Sequence, residues 1–116
     1  MIIQRYIKHE FLKKIKSGKV LVLLGARRTG KTFFIKQILK EIKTPYLLLN
    51  GDDYTTSSLL EKRSIANYRN IIGKNKLLII DEAQKINSIG NILKLMIDEI
   101  PGLTIIATGS SVFDIS

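Results

Sequence analysis

Four short runs of consecutive apolar residues set the layout of this chain, and between them apolar residues return every three or four positions. The runs are Val20–Leu24, Tyr46–Leu49 after Pro45, residues 76–81 and residues 103–107. Each has the length of a strand and is nearly continuously apolar rather than alternating. The intervening periodicity predicts helices over about 4–17, with Ile7, Phe11, Leu12 and Ile15 inward, and over 30–43, where Phe34, Ile35, Ile38, Leu39 and Ile42 share a face between Lys36, Lys40 and Lys43. Two more are predicted over roughly 57–72 and over 88–100, the latter with Ile89, Ile92, Leu93, Met96, Ile97 and Ile100 on one side. Strands separated by helices pair in parallel through right-handed crossovers. Continuously apolar strands need cover on both faces of their sheet. The expected fold class is therefore α/β, three-layered, with a parallel sheet of about four strands.

Composition narrows this little. A chain of 116 residues that is 45% hydrophobic, with two prolines, suits one globular α/β domain with a modest core. No linker divides it. No run approaches the roughly eighteen apolar residues of a membrane span, and Met1–Tyr6 lacks the apolar stretch of a signal peptide, so the cytoplasm is the expected compartment. With no cysteine, disulfides and thiolate metal sites are excluded. The lone His9, in a Lys-rich helical stretch, reads as a surface residue.

Candidate chemistry begins where the first strand ends. Gly25-Ala26-Arg27-Arg28-Thr29-Gly30-Lys31-Thr32 fits G-x-x-x-x-G-K-[ST] without a mismatch, in the required order of strand, glycine loop and helix. Such a loop turns its backbone N–H groups onto phosphate oxygens while the following helix presents its positive end to them. Gly25 and Gly30 allow the tight turn and the close approach. Lys31 is the candidate for the β- and γ-phosphates and Thr32 for Mg²⁺, with Phe33 closing the cradle on its helical side. Arg27 and Arg28 can contact phosphate, a neighbouring subunit, or Asp81 or Glu82, and spacing does not choose among these.

Two further strand ends carry polar groups. Lys76-Leu77-Leu78-Ile79-Ile80-Asp81-Glu82-Ala83-Gln84 reads as a Walker B element. At the carboxyl end of a parallel strand, Asp81 can hold Mg²⁺ directly or through water. Glu82 can polarise a water for in-line attack on a γ-phosphate. Taken alone, the two acids are also compatible with a solvated loop or a helix cap; the phosphate-loop sequence upstream gives them the catalytic reading. The last run, Leu103-Thr104-Ile105-Ile106-Ala107-Thr108-Gly109-Ser110-Ser111, would lie between the other two strands, so that Thr108, Ser110 or Ser111 could report which nucleotide is bound. A plain Gly-Ser turn fits those positions too.

Together, Gly25 to Thr32, the Asp81-Glu82-Ala83-Gln84 box and the Thr108-Gly109-Ser110-Ser111 strand end resemble the predicted ATPases of the prokaryotic AAA superfamily, from about Arg5 to Ser111. The resemblance implies a P-loop ATPase using ATP and Mg²⁺, with Lys31 and Thr32 on phosphate and metal, Asp81 on metal, Glu82 as catalytic base and Ser110 or a neighbour as sensor. It implies that the phosphate-loop strand lies beside the sensor strand, then the Asp81 strand, then the second strand. Asn50-Gly51-Asp52-Asp53 also matches the family's habit at the end of that second strand, without a role that chemistry assigns. An AAA module continues past the sensor with a further strand, an arginine finger and a lid. Residues 1–116 are accordingly expected to be an incomplete module, with 1–18 a helix packing on it, and turnover without a finger is expected to be slow. The phosphate-loop strand is expected to be an open edge prone to self-association. Adenine rather than guanine is likewise implied, since no Asn-Lys-x-Asp stretch occurs.

The net charge of +9 is uneven: residues 1–43 hold twelve Lys and Arg against Glu10 and Glu41, and the remainder is near neutral. Part of that charge serves phosphate. Lys8, Lys13, Lys14, Lys16 and Lys19 precede the loop and offer a surface to a nucleic-acid backbone, or simply a solvated helix face. No aromatic-interleaved reader motif accompanies them. Two functional classes follow: an ATPase module in which Glu82 activates water, and a nucleotide-dependent switch, acting on nucleic acid, with negligible turnover. A small-molecule kinase fits the Asp81-Glu82 pair less well.

Overall fold

The computed structural model describes the backbone of residues 20–24 and 31–109, and side chains at Val20 and from Ile35 onward. The expected helix 4–17, the loop residues Gly25–Gly30, and Ser110 and Ser111 lie outside the described residues. The element order is β1 (Val20–Leu24), α1 (Lys31–Glu41), β2 (Tyr46–Asn50), α2 (Tyr54–Glu61), α3 (Ile65–Ile72), β3 (Leu77–Asp81), a single 3₁₀ turn (Ala83–Lys85), α4 (Ile89–Glu99) and β4 (Thr104–Gly109).

All four strands are parallel, in the order β1-β4-β3-β2. This is the order that the family resemblance implied. The registers align the carboxyl ends: Leu24 lies opposite Gly109, Ile80 opposite Ala107, and Asn50 opposite Asp81. Among the described residues β1 pairs on one side only, with β4.

Two apolar layers hold the sheet. On one face Leu78, Ile80, Ile105 and Ala107 pack with Leu60 of α2, Tyr68 and Ile72 of α3, and Ile92, Leu93 and Met96 of α4. On the other, Leu77, Ile79 and Ile106 meet Ile35 and Ile38 of α1. Strands covered by helices on both sides have no polar face, which is why β3 and β4 read as unbroken apolar runs.

The helix expected over 57–72 is two helices. Asp53 caps the first, accepting from the Thr55 N–H at 2.9 Å, and Ser64 caps the second, accepting from the Asn67 N–H at 3.3 Å. Asn67 also donates through Nδ2 to the carbonyls of Leu59 and Lys62, at 2.8 and 2.9 Å, so carbonyls left open at the break find a donor. Helical periodicity runs across the break because both helices present apolar residues to the same core. Tyr68 is buried there, its hydroxyl donating to the Leu60 carbonyl at 2.8 Å. Burial pushes the Tyr68 pKa above its ordinary value, against an opposing pull from Arg63.

The expectation of cover on both faces fails at β2. Leu47 and Leu49 pack on the larger cluster, but Tyr46 and Leu48, on the α1 side, remain 44% and 48% exposed. An edge strand lies at the rim of the helical layer, and α1 centres on β3 and β4 instead.

Candidate active site

Among the described residues, Asp81, Glu82 and Thr108 lie where β3 and β4 end. β1 stops at Leu24, immediately before the glycine loop, and α1 begins at Lys31, so strand and helix flank Gly25–Gly30 as a phosphate loop requires. Lys31, Thr32 and Phe33 occupy the first turn of α1. Leu24 is opposite Gly109, so the loop departs next to the end of β4. In open α/β sheets this is the edge beside which ligands bind.

Asp81 closes β3 and is partly buried. Two donors meet on its Oδ1: the Thr108 hydroxyl from β4, in a very short hydrogen bond, and the Glu82 N–H at 3.0 Å. Both bonds orient the carboxylate along the carboxyl edge of the sheet. Of the three sensor candidates, Thr108 is thus brought onto Asp81, while Ser110 and Ser111 fall outside the described residues.

Glu82 is only 7% exposed and adopts the left-handed conformation, with φ 53° and ψ 42°. For a residue with a Cβ that conformation costs on the order of 1–2 kcal/mol, so neighbouring contacts have to hold it. The Lys85 N–H donates to the Glu82 carbonyl at 3.2 Å, closing the 3₁₀ turn. The Gln84 Nε2 donates to Glu82 Oε2 at 2.8 Å. The reversal lets the chain leave the sheet directly after Asp81 while the next residue stays in the protein interior.

A third segment, for which the sequence offered no chemical role, braces this turn. The Gly51 N–H donates to the Asp81 carbonyl at 2.7 Å, and its own carbonyl accepts from the Ser57 hydroxyl at 3.0 Å. A Cβ placed on Gly51 would lie 2.2 Å from the Glu82 carbonyl oxygen, so only glycine fits. Asn50 Oδ1 accepts from the Asp52 N–H at 2.9 Å, and Asp52 Oδ1 pairs with Lys85 Nζ at 2.6 Å. Asn50-Gly51-Asp52 is therefore a clamp on the Asp81–Lys85 segment. A glycine directly after an apolar strand run is the one sequence signal that could have disclosed it.

Among the described residues no cluster of three or more His, Cys, Asp or Glu is placed to hold a metal. Mg²⁺ does not need one, since it is commonly held by one or two carboxylates together with substrate phosphates and water. A single oriented carboxylate at the sheet edge, beside the start of the phosphate-loop sequence, fits that mode. No helix of the described residues is long and apolar enough to cross a membrane.

Comparison with known proteins agrees with this fold. The protein family described as "AAA domain" matches residues 17–116. An uncharacterized protein of Methanocaldococcus jannaschii, MJ1544, is 31% identical over 101 residues, covering 84% of this chain and 22% of that protein. The chain thus spans about a fifth of the length of this curated relative. Among solved structures, one from a study of DNA unwinding at forked dsDNA by two coordinating Pif1 helicases matches with a TM-score of 0.60 at 17% identity, covering 89% of this chain and 32% of that one. The likeness is one of fold, and the fold is that of the P-loop NTPases.

Proposed function

The chain belongs to the AAA domain family, as a nucleotide-binding P-loop module, and from that premise we propose that it binds ATP with Mg²⁺ and hydrolyses it. The observation that carries the proposal is that Asp81, at the end of β3 and bonded to Thr108 of β4, lies at the same carboxyl edge of the sheet as the end of β1, after which the glycine-rich sequence follows. In this reading the backbone of Gly25–Thr32, with Phe33, cradles the phosphates, and Lys31 reaches the β- and γ-phosphates. Thr32 and Asp81 would hold Mg²⁺, which when bound neutralises charge developing on the phosphoryl oxygens. Glu82 takes the proton of the attacking water, and Thr108 or Ser110 reports the state of the γ-phosphate. Hydrolysis then drives a rearrangement in a C-terminal region or a partner outside this module. The compartment that goes with this reading is the cytoplasm.

Calorimetric titration of Mg·ATP tests the reading. Lys31→Ala should weaken binding by roughly 10- to 100-fold, the worth of a charge-assisted contact. Glu82→Gln should leave binding intact and lower turnover by about 10²- to 10⁴-fold, the range for a general base. Undiminished binding by Lys31→Ala, or undiminished turnover by Glu82→Gln, would remove the respective role.

The uneven charge favours a second reading, a nucleotide-dependent switch that grips a nucleic-acid backbone through the basic residues of 1–43. Affinity for DNA or RNA that stays flat as salt rises would exclude it. The side of β1 that is unpaired among the described residues is the proposed route of self-association, checked by size-exclusion chromatography at rising concentration.

A further inference from the structure

The backbone of Glu82 is fixed by the Gly51 clamp and the 3₁₀ turn, but neither fixes its carboxylate, which lies three torsions further out. A group acting on a reacting water has to be held to within about 0.5 Å and 10–20° of its working geometry. One contact made with the carboxylate itself is the hydrogen bond from Gln84 Nε2 to Oε2, at 2.8 Å. Gln84 stands on a firm platform. Ala83 and Ile86 on either side of its turn are buried in the larger core cluster, the Ile86 N–H donates to the Ala83 carbonyl at 3.0 Å, and Lys85 is paired with Asp52. The amide therefore reaches Glu82 from a segment anchored to both the core and the end of β2.

We propose that Gln84 is a positioning residue for Glu82: its side-chain amide orients the carboxylate that acts on water, without itself touching nucleotide. The inference rests on the reading of Glu82 as the base. A glutamine suits the task because its amide donates without bringing a charge that would compete for Glu82 or for phosphate.

The test uses the full chain with Mg·ATP and compares Gln84→Ala, Gln84→Glu, Glu82→Gln and the double variant Glu82→Gln/Gln84→Ala. Gln84→Ala should keep ATP affinity within about twofold while kcat falls roughly 10- to 100-fold, as for loss of a hydrogen bond to a charged group. Gln84→Glu, isosteric but without the donor and with a like charge, should lower kcat at least as far. In the Glu82→Gln background the alanine should change kcat by less than about twofold, because two residues acting through one step are not additive. Equal effects of Gln84→Ala in both backgrounds, or an unchanged or raised kcat, would overturn the proposal. If Glu82→Gln itself leaves kcat unaltered, the reading of Glu82 has failed instead. A measurement independent of turnover completes the test. The chain has three glutamines, Gln4, Gln37 and Gln84, so the Gln84 side-chain amide resonance can be assigned by its loss in Gln84→Ala. It should shift in Glu82→Ala while those of Gln4 and Gln37 stay in place, and the absence of that shift would show that the hydrogen bond does not form in solution.

Discussion

β2 and β3 are strands of equal length and nearly equal composition, paired in parallel residue for residue, and they meet different fates. In β3 Leu77 to Ile80 are all buried, alternately in the two core layers; in β2 burial alternates, and Tyr46 and Leu48 stay about half exposed. The difference is one of position, since β3 lies between two strands and beneath helices on both faces while β2 is the last strand of the sheet. It also divides labour at the strand ends. The interior strand carries the acids Asp81 and Glu82 into the one place from which the ends of β4 and β1 can be reached, and the edge strand supplies Asn50 and Gly51, which brace them from the side. A site of this kind draws its rigidity from the interior and its fine adjustment from the edge.

Truncating matched residues breaks or sharpens that comparison most strongly. Leu48 and Ile79 are direct partners across the β2–β3 ladder. Ile79→Ala should cost about 2–5 kcal/mol of unfolding free energy, because a fully buried side chain leaves both a transfer loss and a cavity. Leu48→Ala should cost less than about 1 kcal/mol, as surface changes usually do. Urea denaturation of both variants is the check, and equal costs would mean that β2 is as deeply covered as β3.

Next in size is the clamp. Gly51→Ala sets a methyl against the Glu82 carbonyl, and overpacking of this kind typically costs about 1–3 kcal/mol. The strain falls on the one residue held in a left-handed conformation beside the acids, so ATP turnover should fall further than ATP affinity. An alanine variant as stable and as active as the parent would show that the β2 end does not brace Glu82.

What the sequence disclosed and what it hid follow the same division. The α/β layout, the strand that ends at Asp81 and the strand and helix that flank the glycine-rich sequence were legible because each is written in contiguous residues: a period, a strand end, a spacing. The strand order came with the family resemblance, but how deeply each strand is covered did not. Leu47-Leu48-Leu49 reads like Leu78-Ile79-Ile80, so nothing local tells an edge strand from an interior one, and cover on both faces was expected of each. The break between α2 and α3 was hidden because both helices address one core. The clamp joins residues about thirty positions apart, and the donation from Thr108 to Asp81 spans 27. Such pairings exist only once the strand order is known. Gln84 stands in the Asp81-Glu82-Ala83-Gln84 box, yet its contact with Glu82 depends on the 3₁₀ turn and the left-handed residue before it, neither of which residue type announces.

Across β3 and β4, Thr108→Val removes one of the two donors on Asp81 while keeping the side-chain shape. The Glu82 N–H remains, so the expected loss is about 1 kcal/mol, the net worth of a single hydrogen bond. If Asp81 serves Mg²⁺, the variant should also raise the Mg²⁺ concentration needed for half-maximal ATP binding. An unchanged Mg²⁺ requirement would separate the orientation of Asp81 from metal binding.

The smallest effect is expected at the outer rim of the clamp. Asp52 and Lys85 lie 2.6 Å apart, but each side chain is 42% exposed, and pairs so open to water contribute about 0–1 kcal/mol. Lys85→Ala should therefore lower stability by a few tenths of a kcal/mol at low salt, and the difference from the parent should vanish as salt rises toward about 1 M, where screening acts over roughly 3 Å. Set against Gly51→Ala, this variant asks whether the brace on Glu82 is steric or electrostatic. Gly51 acts through a contact that no salt weakens and Lys85 through one that salt removes, so a loss of turnover in Lys85→Ala that matches that of Gly51→Ala at low salt, and whose difference from the parent closes as salt rises, would move the centre of the clamp from the glycine to the ion pair.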